Sequence, residues 1–350
     1  MGKGWTGLGR GSIELLRMKD PVSFARSEAP LVSVIIPSYN KRNYIVDTIA
    51  SVQAQTYGNW ELLVVDDVST DGSVDLLREI AKHDPRITVD VLDKNSGANR
   101  CRNYGLAKAK GHYVIFLDAD DQLAPHCLGT RVSAMKRTKD PDMGVFTLRV
   151  FRHRLGDDTR RWIPKHRKPL RDFFRHDLPW QTMQPIWKKE FIKQLGGFDE
   201  GFARHQDVEL HTRALMLPSV RVEQFPGPID CYYRVGEERR TDGIARRSEK
   251  LVDATLHYYE RFMPDADRLG MRSALIGTLH RIQLQLLYHG REEHISRAEL
   301  VQLEKRLFPQ EIWRSIPIWK RFLFRVSRIF NMAPFRIPGV NRTIGALLVR

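Results

Sequence analysis

Five strand-forming apolar residues in a row, Tyr113-Val114-Ile115-Phe116-Leu117, run directly into Asp118-Ala119-Asp120-Asp121. An uninterrupted apolar run of this length suits a strand covered on both faces, as in the middle of a parallel α/β sheet. Its end is harder to accommodate. Three carboxylates in four residues raise one another's pKa unless positive charge sits among them. A turn capping the next helix would leave them solvated. A divalent cation held by oxygen ligands, its shell completed by a phosphate, would neutralise them. Ligands in open α/β sheets collect at the carboxyl ends of strands, which is where this triplet falls.

The same pattern recurs upstream. Leu31 to Ile36 reads as a strand stopped by Pro37, Trp60 to Val65 as the next, and Ile87 to Leu92 as a third. Tyr44 to Gln55 carries Ile45, Ile49 and Val52 at helical spacing. Ser73 to Ala81 follows the capping candidates Ser69, Thr70 and Asp71, and Ala98 to Ala109 reads as a third helix. Strands alternating with helices of about ten residues predict a doubly wound, Rossmann-like α/β sheet. Met143 to Phe151 reads as a further strand, and the basic stretch Arg152 to Arg175, broken by Pro164 and Pro169, as a mobile loop. That loop would either clamp an anionic ligand as a lid or lie as solvated surface. The chain thus divides into a lead-in over residues 1–30, an α/β body over 31–240 and a basic helical region over 241–350.

Charge narrows the partners. The net charge of +15 calls for an anionic one: a nucleotide sugar, a nucleic acid or an anionic membrane surface. Nucleic acid finds little support, since zinc-finger spacing and an aromatic RNA-binding signature are both missing and the carboxylate loops would repel phosphates. Cys101, Cys127 and Cys231 are odd in number, without metal-ligand spacing, and point to a reducing compartment. No apolar stretch approaches the roughly 18 residues of a spanning helix, and Met1-Gly2-Lys3-Gly4-Trp5 lacks the apolar run of a signal peptide. The expected location is cytoplasmic, with attachment to the inner membrane face left open.

Four strand ends carry polar loops that a parallel sheet would gather on one edge. They are Pro37-Ser38-Tyr39-Asn40, Asp66-Asp67-Val68-Ser69-Thr70-Asp71-Gly72, Asn95-Ser96-Gly97 with Arg102-Asn103-Tyr104-Gly105, and the carboxylate triplet. In this order they resemble the family 2 glycosyltransferases of GT-A fold, over about residues 31 to 235, and Gly196-Gly197-Phe198-Asp199-Glu200 extends the likeness. The resemblance implies a metal-dependent, inverting transferase that moves a sugar from a nucleotide-sugar donor to a saccharide or lipid-linked hydroxyl, in cell-surface polysaccharide or glycan synthesis.

Carried over by position, the resemblance implies that Pro37 and Tyr39 border the base and that Asp66 and Asp67 fix it, one of them accepting a uracil-type N–H; this favours UDP and leaves another pyrimidine nucleotide as the alternative. Asn95 and Arg102 serve the donor, Arg102 on its ribose–phosphate side. Asp118 takes the ribose, and Asp120 the Mg²⁺ or Mn²⁺, with Asp121 in support. Asp66 and Asp67 are equally suited to capping the next helix, and Arg102 to a surface ion pair. Gly97 and Gly105 are read as serving backbone geometry.

The family's Glu-Asp pair corresponds to Gln206-Asp207. One member is absent, so Asp207 is the expected general base, with Gln206 and His205 in support. That substitution also motivates a rival reading, a degenerate GT-A scaffold or binding subunit. Thr182 and Gln184 are candidates to line the sugar or acceptor, and Trp187 for the core.

In the tail, Trp319, Phe322, Leu323, Val326, Ile329 and Phe330 fall on one helical stripe with Lys320, Arg321, Arg325 and Arg328 around it. Such a helix either lies in an anionic membrane interface or packs on the body with a solvated basic face.

Overall fold

The continuous apolar strands are explained by two separate cores, one on each face of the central sheet. In the computed structural model, which describes residues 29–235, 243–332 and 339–349, the strand β4 (Tyr113–Phe116) sends Val114 and Phe116 into one core and Tyr113 and Ile115 into the other. Strand β1 (Val32–Ser38) divides in the same way, Ile35 against Val34 and Ile36. A period of two with apolar residues on both sides leaves no polar alternation in the sequence.

The expected alternation is present: α1 (Ile45–Gln53), β2 (Trp60–Asp66), α2 (Ser73–His83), β3 (Ile87–Val91) and α3 (Ala98–Lys108) lie between β1 and β4. β1 pairs in parallel with both β2 and β4, and β2 with β3. The expected lead-in lies almost wholly outside the described residues, as do Pro334 and Pro338.

Beyond β4 the chain adds what alternation could not predict. Next come β5 (Gln122–Leu123), α4 (Cys127–Arg137), β6 (Met143–Phe146), β7 (Leu148–Phe151), β8 (Arg161–Trp162), α5 (Pro169–Phe174), β9 (Pro185–Lys188), α6 (Lys189–Gln194), α7 (Gln206–Leu215), β10 (Val222–Phe225) and β11 (Cys231–Arg234). The central sheet has the order β10-β6-β9-β4-β1-β2-β3, with β9 antiparallel to both its neighbours. A smaller sheet has the order β5-β11-β7-β8. The single strand expected over Met143–Phe151 is therefore two. The chain leaves one sheet for the other at Thr147, whose carbonyl accepts from the Asp230 amide at 3.2 Å.

The stretch Arg152–Arg175 is also more ordered than a mobile loop. It contains β8 and α5, with Pro169 in the first turn of α5 and Phe173 and Phe174 fully buried. Arg171 donates to the Val349 carbonyl at 3.0 Å, and no residue of the stretch lines the donor-side cleft described below. Of the two earlier alternatives, a lid finds no contact to support it.

Helices α8 (Ile244–Arg268), α9 (Arg272–Arg291), α10 (Arg297–Leu307), α11 (Gln310–Ser315), α12 (Ile318–Met332) and α13 (Val340–Leu348) complete the chain. Tyr258, Phe262, Leu279 and Leu286 share one core with Val114, Phe116 and Trp187 of the sheet. In α12 the buried face is Lys320, Phe324 and Ser327. The outward face carries Ile318, Trp319, Phe322, Ile329 and Met332, so the expected stripe is rotated. Lys320 is not on a solvated basic face: it donates to Ser273 Oγ at 2.6 Å and to the Leu348 carbonyl at 2.5 Å, and burial lowers its pKa to about 8.

One fully buried ion pair joins the two sheets. Arg131 of α4 meets Asp230 through two bonds of 2.7 and 2.9 Å and also reaches the Met183 carbonyl at 2.9 Å. Removing one partner of such a pair strands a buried charge. Arg131→Ala is therefore expected to cost about 3–5 kcal/mol in urea unfolding, whereas Arg131→Met combined with Asp230→Leu should recover most of that loss.

Candidate functional site

The carboxyl ends of β1, β2 and β4 and the start of α3 surround a cleft of about 950 Å³. Pro37, Tyr39, Asp67, Asn95, Arg102, Asp118, Asp120 and Gln206 all line it. Eight of the residues singled out from sequence therefore meet in one place. Tyr39 is 48% exposed, which leaves its ring face open to a flat partner.

The two aspartates after β2 have separate fates. Asp66 is fully buried and closes its own turn, accepting from the Ser69 amide and hydroxyl at 2.7 Å each. It does not line the cleft, so the expectation that it fixes a base is corrected: both its oxygens hold the loop. Asp67 does line the cleft, held by the amides of Ser96 at 2.7 Å and Gly97 at 2.8 Å. Gly97 has φ +87° and ψ 162°, a region open to glycine and little else. Asn95 completes the clasp by donating to the Asp67 carbonyl at 3.0 Å. Gly105 serves close packing, since a Cβ there would sit 2.6 Å from Ile35 Cγ2.

The charge that the acidic triplet demands is supplied by the protein itself. Arg102 reaches Asp118 at 2.8 Å, and Lys41 reaches Asp120 at 2.9 Å. Asp121 accepts from the Arg234 amide at 2.8 Å, while the Arg234 side chain donates to the Asp120 carbonyl at 2.9 Å. Asp121 is thus tied to β11 and does not line the cleft; its contact supports the loop rather than a ligand.

Arg102 is a brace as well as a wall. It is 4% exposed, and besides Asp118 it donates to Asn99 at 3.1 Å and to Gln206 at 2.8 Å. The surface ion pair considered for it is excluded by that burial. On the same helix Asn99 and Asn103, one turn apart, hold the Gly-Gly-Phe-Asp-Glu segment. Asn103 exchanges hydrogen bonds of 2.8 Å with the Phe198 backbone, and Asn99 donates to the carbonyls of Asp199 and Phe202. Two sequence motifs distant along the chain are one structural unit.

Helix α7 brings Gln206 to the cleft wall and leaves Asp207 one residue behind it. Burial raises the Asp207 pKa above the ordinary carboxylate value; the Arg102 charge opposes this and the Asp118 charge adds to it. His205 turns the other way. It bonds to Thr255 Oγ1 at 3.0 Å and packs against the His176 ring, and burial holds it well below its usual pKa. Its expected supporting role at the site is corrected to a structural one.

Trp187 is core, stacked on His211 with ring centres 5.6 Å apart. Gln184, fully buried, bonds to the Phe146 and Trp162 carbonyls instead of lining a sugar site, and Thr182 does not line the cleft. Sequence reasoning missed Lys41, Asn99 and Arg234, and quoted Asn103 in its motif without giving it a role. Lys41 follows the Pro-Ser-Tyr-Asn loop directly, and the two asparagines share a helix face. Arg234 had no local signal.

Among the described residues no three His, Cys, Asp or Glu side chains converge as a metal cage. Mg²⁺-type sites need less, because they combine one or two carboxylates with substrate phosphates and water. Asp120, 2% exposed on the cleft wall with Asp118 nearby in sequence, is an all-oxygen donor set that fits such a shared ion, with Lys41 as its present counter-charge.

Residues 33–189 match the sequence profile of glycosyl transferase family 2. Those residues form a family 2 glycosyltransferase domain. TuaG of Bacillus subtilis, a candidate teichuronic acid biosynthesis glycosyltransferase, is 55% identical to the domain over 93 residues, 27% of this chain and 37% of that protein. The O-antigen biosynthesis protein RfbC of Myxococcus xanthus is 31% identical over 195 residues, 53% of this chain and 14% of that one. The chain therefore spans well under half the length of these relatives. A crystal structure of residues 1–349 of S. aureus TarS in complex with UDP-GlcNAc superposes with a TM-score of 0.64 at 19% identity, covering 90% of both chains. The fold of the chain is GT-A, carried by a doubly wound sheet with a helical C-terminal region.

Proposed function

We propose that this chain is a metal-dependent, inverting glycosyltransferase that moves a hexosyl or N-acetylhexosaminyl group from a UDP-linked donor to a hydroxyl of a saccharide or lipid-linked acceptor, in the assembly of a cell-surface polysaccharide or glycan. The observation that carries the proposal is the convergence of these groups on one cleft. Tyr39 and the clasped Asp67 stand among its lining groups for a base, and Asp118 and Asp120 for ribose and diphosphate, with α7 bordering the same space.

In this reading Tyr39 stacks on the base and Asp67 accepts its ring N–H, an unpaired donor there being costly. Asp118 takes the ribose hydroxyls while Arg102 holds its carboxylate in place. Asp120 holds the Mg²⁺ or Mn²⁺, which when bound supplies Lewis-acid neutralisation of the departing diphosphate. Asp207 removes the proton from the acceptor hydroxyl, and its raised pKa makes it a better base than an ordinary carboxylate. Attack opposite the leaving group inverts the anomeric centre. Gln206 motivates the rival scaffold reading; its bond to Arg102 gives it a place in the cleft wall, and the turnover of Asp207→Asn against wild type separates the two readings.

The exposed apolar face of α12 favours a second component, peripheral attachment to an anionic membrane. Ile318 is 78% exposed, Phe322 65% and Ile329 67%, with Arg325 on the same side. Among the described residues no helix is long and apolar enough to cross a membrane. A bilayer surface suits that face, and a lipid-linked acceptor would be met there.

UDP at about a hundred times its dissociation constant, with Mn²⁺, should raise the unfolding free energy by roughly 2.7 kcal/mol. The gain should need the metal and vanish in Asp120→Ala; a metal-independent shift equal in both proteins would refute the assignment of Asp120. UDP-GlcNAc is the first donor to assay. Turnover should be lost in Asp207→Asn and, in the wild type, should fall as pH drops through a pKa above the usual carboxylate range. Gln206→Glu neutralises Arg102 and adds a nearby negative charge, so it should move that acid limb to higher pH. Co-sedimentation with anionic liposomes should weaken in Phe322→Glu/Ile329→Glu; equal pelleting of variant and wild type rules out membrane attachment through α12.

A further inference from the structure

A second cavity, also of about 950 Å³, lies between the turn Arg175–Leu178, α9 and α13, and shares no lining residue with the donor cleft. Its charges are unbalanced. Arg175, Arg281 and Arg342 line it against a single carboxylate, Asp177. Asp177 is shared, with Arg175 at 3.1 Å and Arg281 in closer contact, so two guanidinium forks divide one acceptor. Arg342, exposed on α13, makes no ion pair among the described residues. Burial, and then the neighbouring Arg175 charge, pull Arg281 below its usual pKa, as expected of like charges brought together.

The rest of the lining limits what can enter. His176 lines the cavity, its Nδ1 buried and without a hydrogen-bond partner behind that wall. Burial lowers His176 and His280 to pKa values of about 4, so neither adds charge near neutrality. Leu284, Tyr288 and Val349 supply apolar surface beside the guanidiniums. Planar guanidinium forks bond to phosphate as readily as to carboxylate, and three of them beside one carboxylate leave an excess of two positive charges that a phosphate would balance. We propose that this cavity binds a phosphate-bearing ligand whose remaining body is apolar. The occupant would lie against His176, whose ring packs 4.4 Å from that of His205, the residue that opens α7 ahead of Gln206 and Asp207.

Isothermal titration of the full chain with inorganic phosphate, glycerol 3-phosphate and farnesyl phosphate tests this. UDP with Mn²⁺ is titrated in parallel as a report on the donor cleft. Farnesyl phosphate should bind the wild type and bind Arg281→Gln/Arg342→Gln at least about tenfold more weakly, since each bond to a charged group is worth that much. Gly345 lines the cavity with no atom within 4 Å of a Cβ built there, so Gly345→Phe fills the space on a helix it should not disturb. That variant should lose farnesyl phosphate and keep UDP, and it decides the matter if the double variant fails to fold. Equal binding of the three probes to wild type would keep the phosphate site and overturn the apolar body. Absence of binding by every probe, or equal binding to wild type and Gly345→Phe, overturns the proposal.

Discussion

A guanidinium buried in a polar cleft dictates much of what surrounds it. The Arg102 fork joins the acidic loop after β4, the helix that carries it and the start of α7, through Asp118, Asn99 and Gln206. Those elements come from three separate stretches of the chain, and the one side chain holds them together. Such a hub is costly to bury; three bonds through its terminal nitrogens offset the cost, while its buried Nε has no hydrogen-bond partner. The acidic triplet can then exist without an ion, because Arg102, Lys41 and Arg234 meet its side chains and backbone in turn. A substrate entering the cleft finds carboxylates already fixed in direction, with little rearrangement left to make.

The fold was legible where local rules suffice. Apolar runs with capping signals located the first four strands and three helices to within a residue or two, and the four strand-end motifs converged on one cleft. Local rules fail where a residue's partner is remote. Nothing near Met143–Phe151 announces a change of sheet at Thr147, because its cause, the Asp230 amide, lies more than eighty residues further on. Asp66 and Asp67 are neighbours of one chemical type, yet one closes a turn and the other faces the cleft; strand pleat separates them, and composition does not record pleat. Lys320 was read as surface charge because its neighbours are basic, and only tertiary packing reveals its bonds to Ser273 and Leu348.

The site residues divide in the same manner. Tyr39, Asp67, Asn95, Arg102, Asp118, Asp120 and Gln206 were found because their motifs are contiguous. Asn99 and Asn103 were given no role because theirs is to hold another motif, Gly196 to Glu200, which makes sense only once both are in place. His205 attracted a chemical role because imidazole is versatile. Its backbone, at φ +58°, turns the side chain toward Thr255 and away from the cleft.

The core shared by the sheet and the late helices has a consequence for how the molecule comes apart. Trp187 and Phe116 of the sheet, His211 and Leu210 of α7, and Tyr258 and Phe262 of α8 form one apolar body, so cutting the chain near residue 240 would lay bare the underside of the very helix that presents Gln206 and Asp207. The shared core argues against treating the two halves as independent folding units. Any exchange of modules between such transferases must carry the helical layer along with the nucleotide half, or repaint the face it covers.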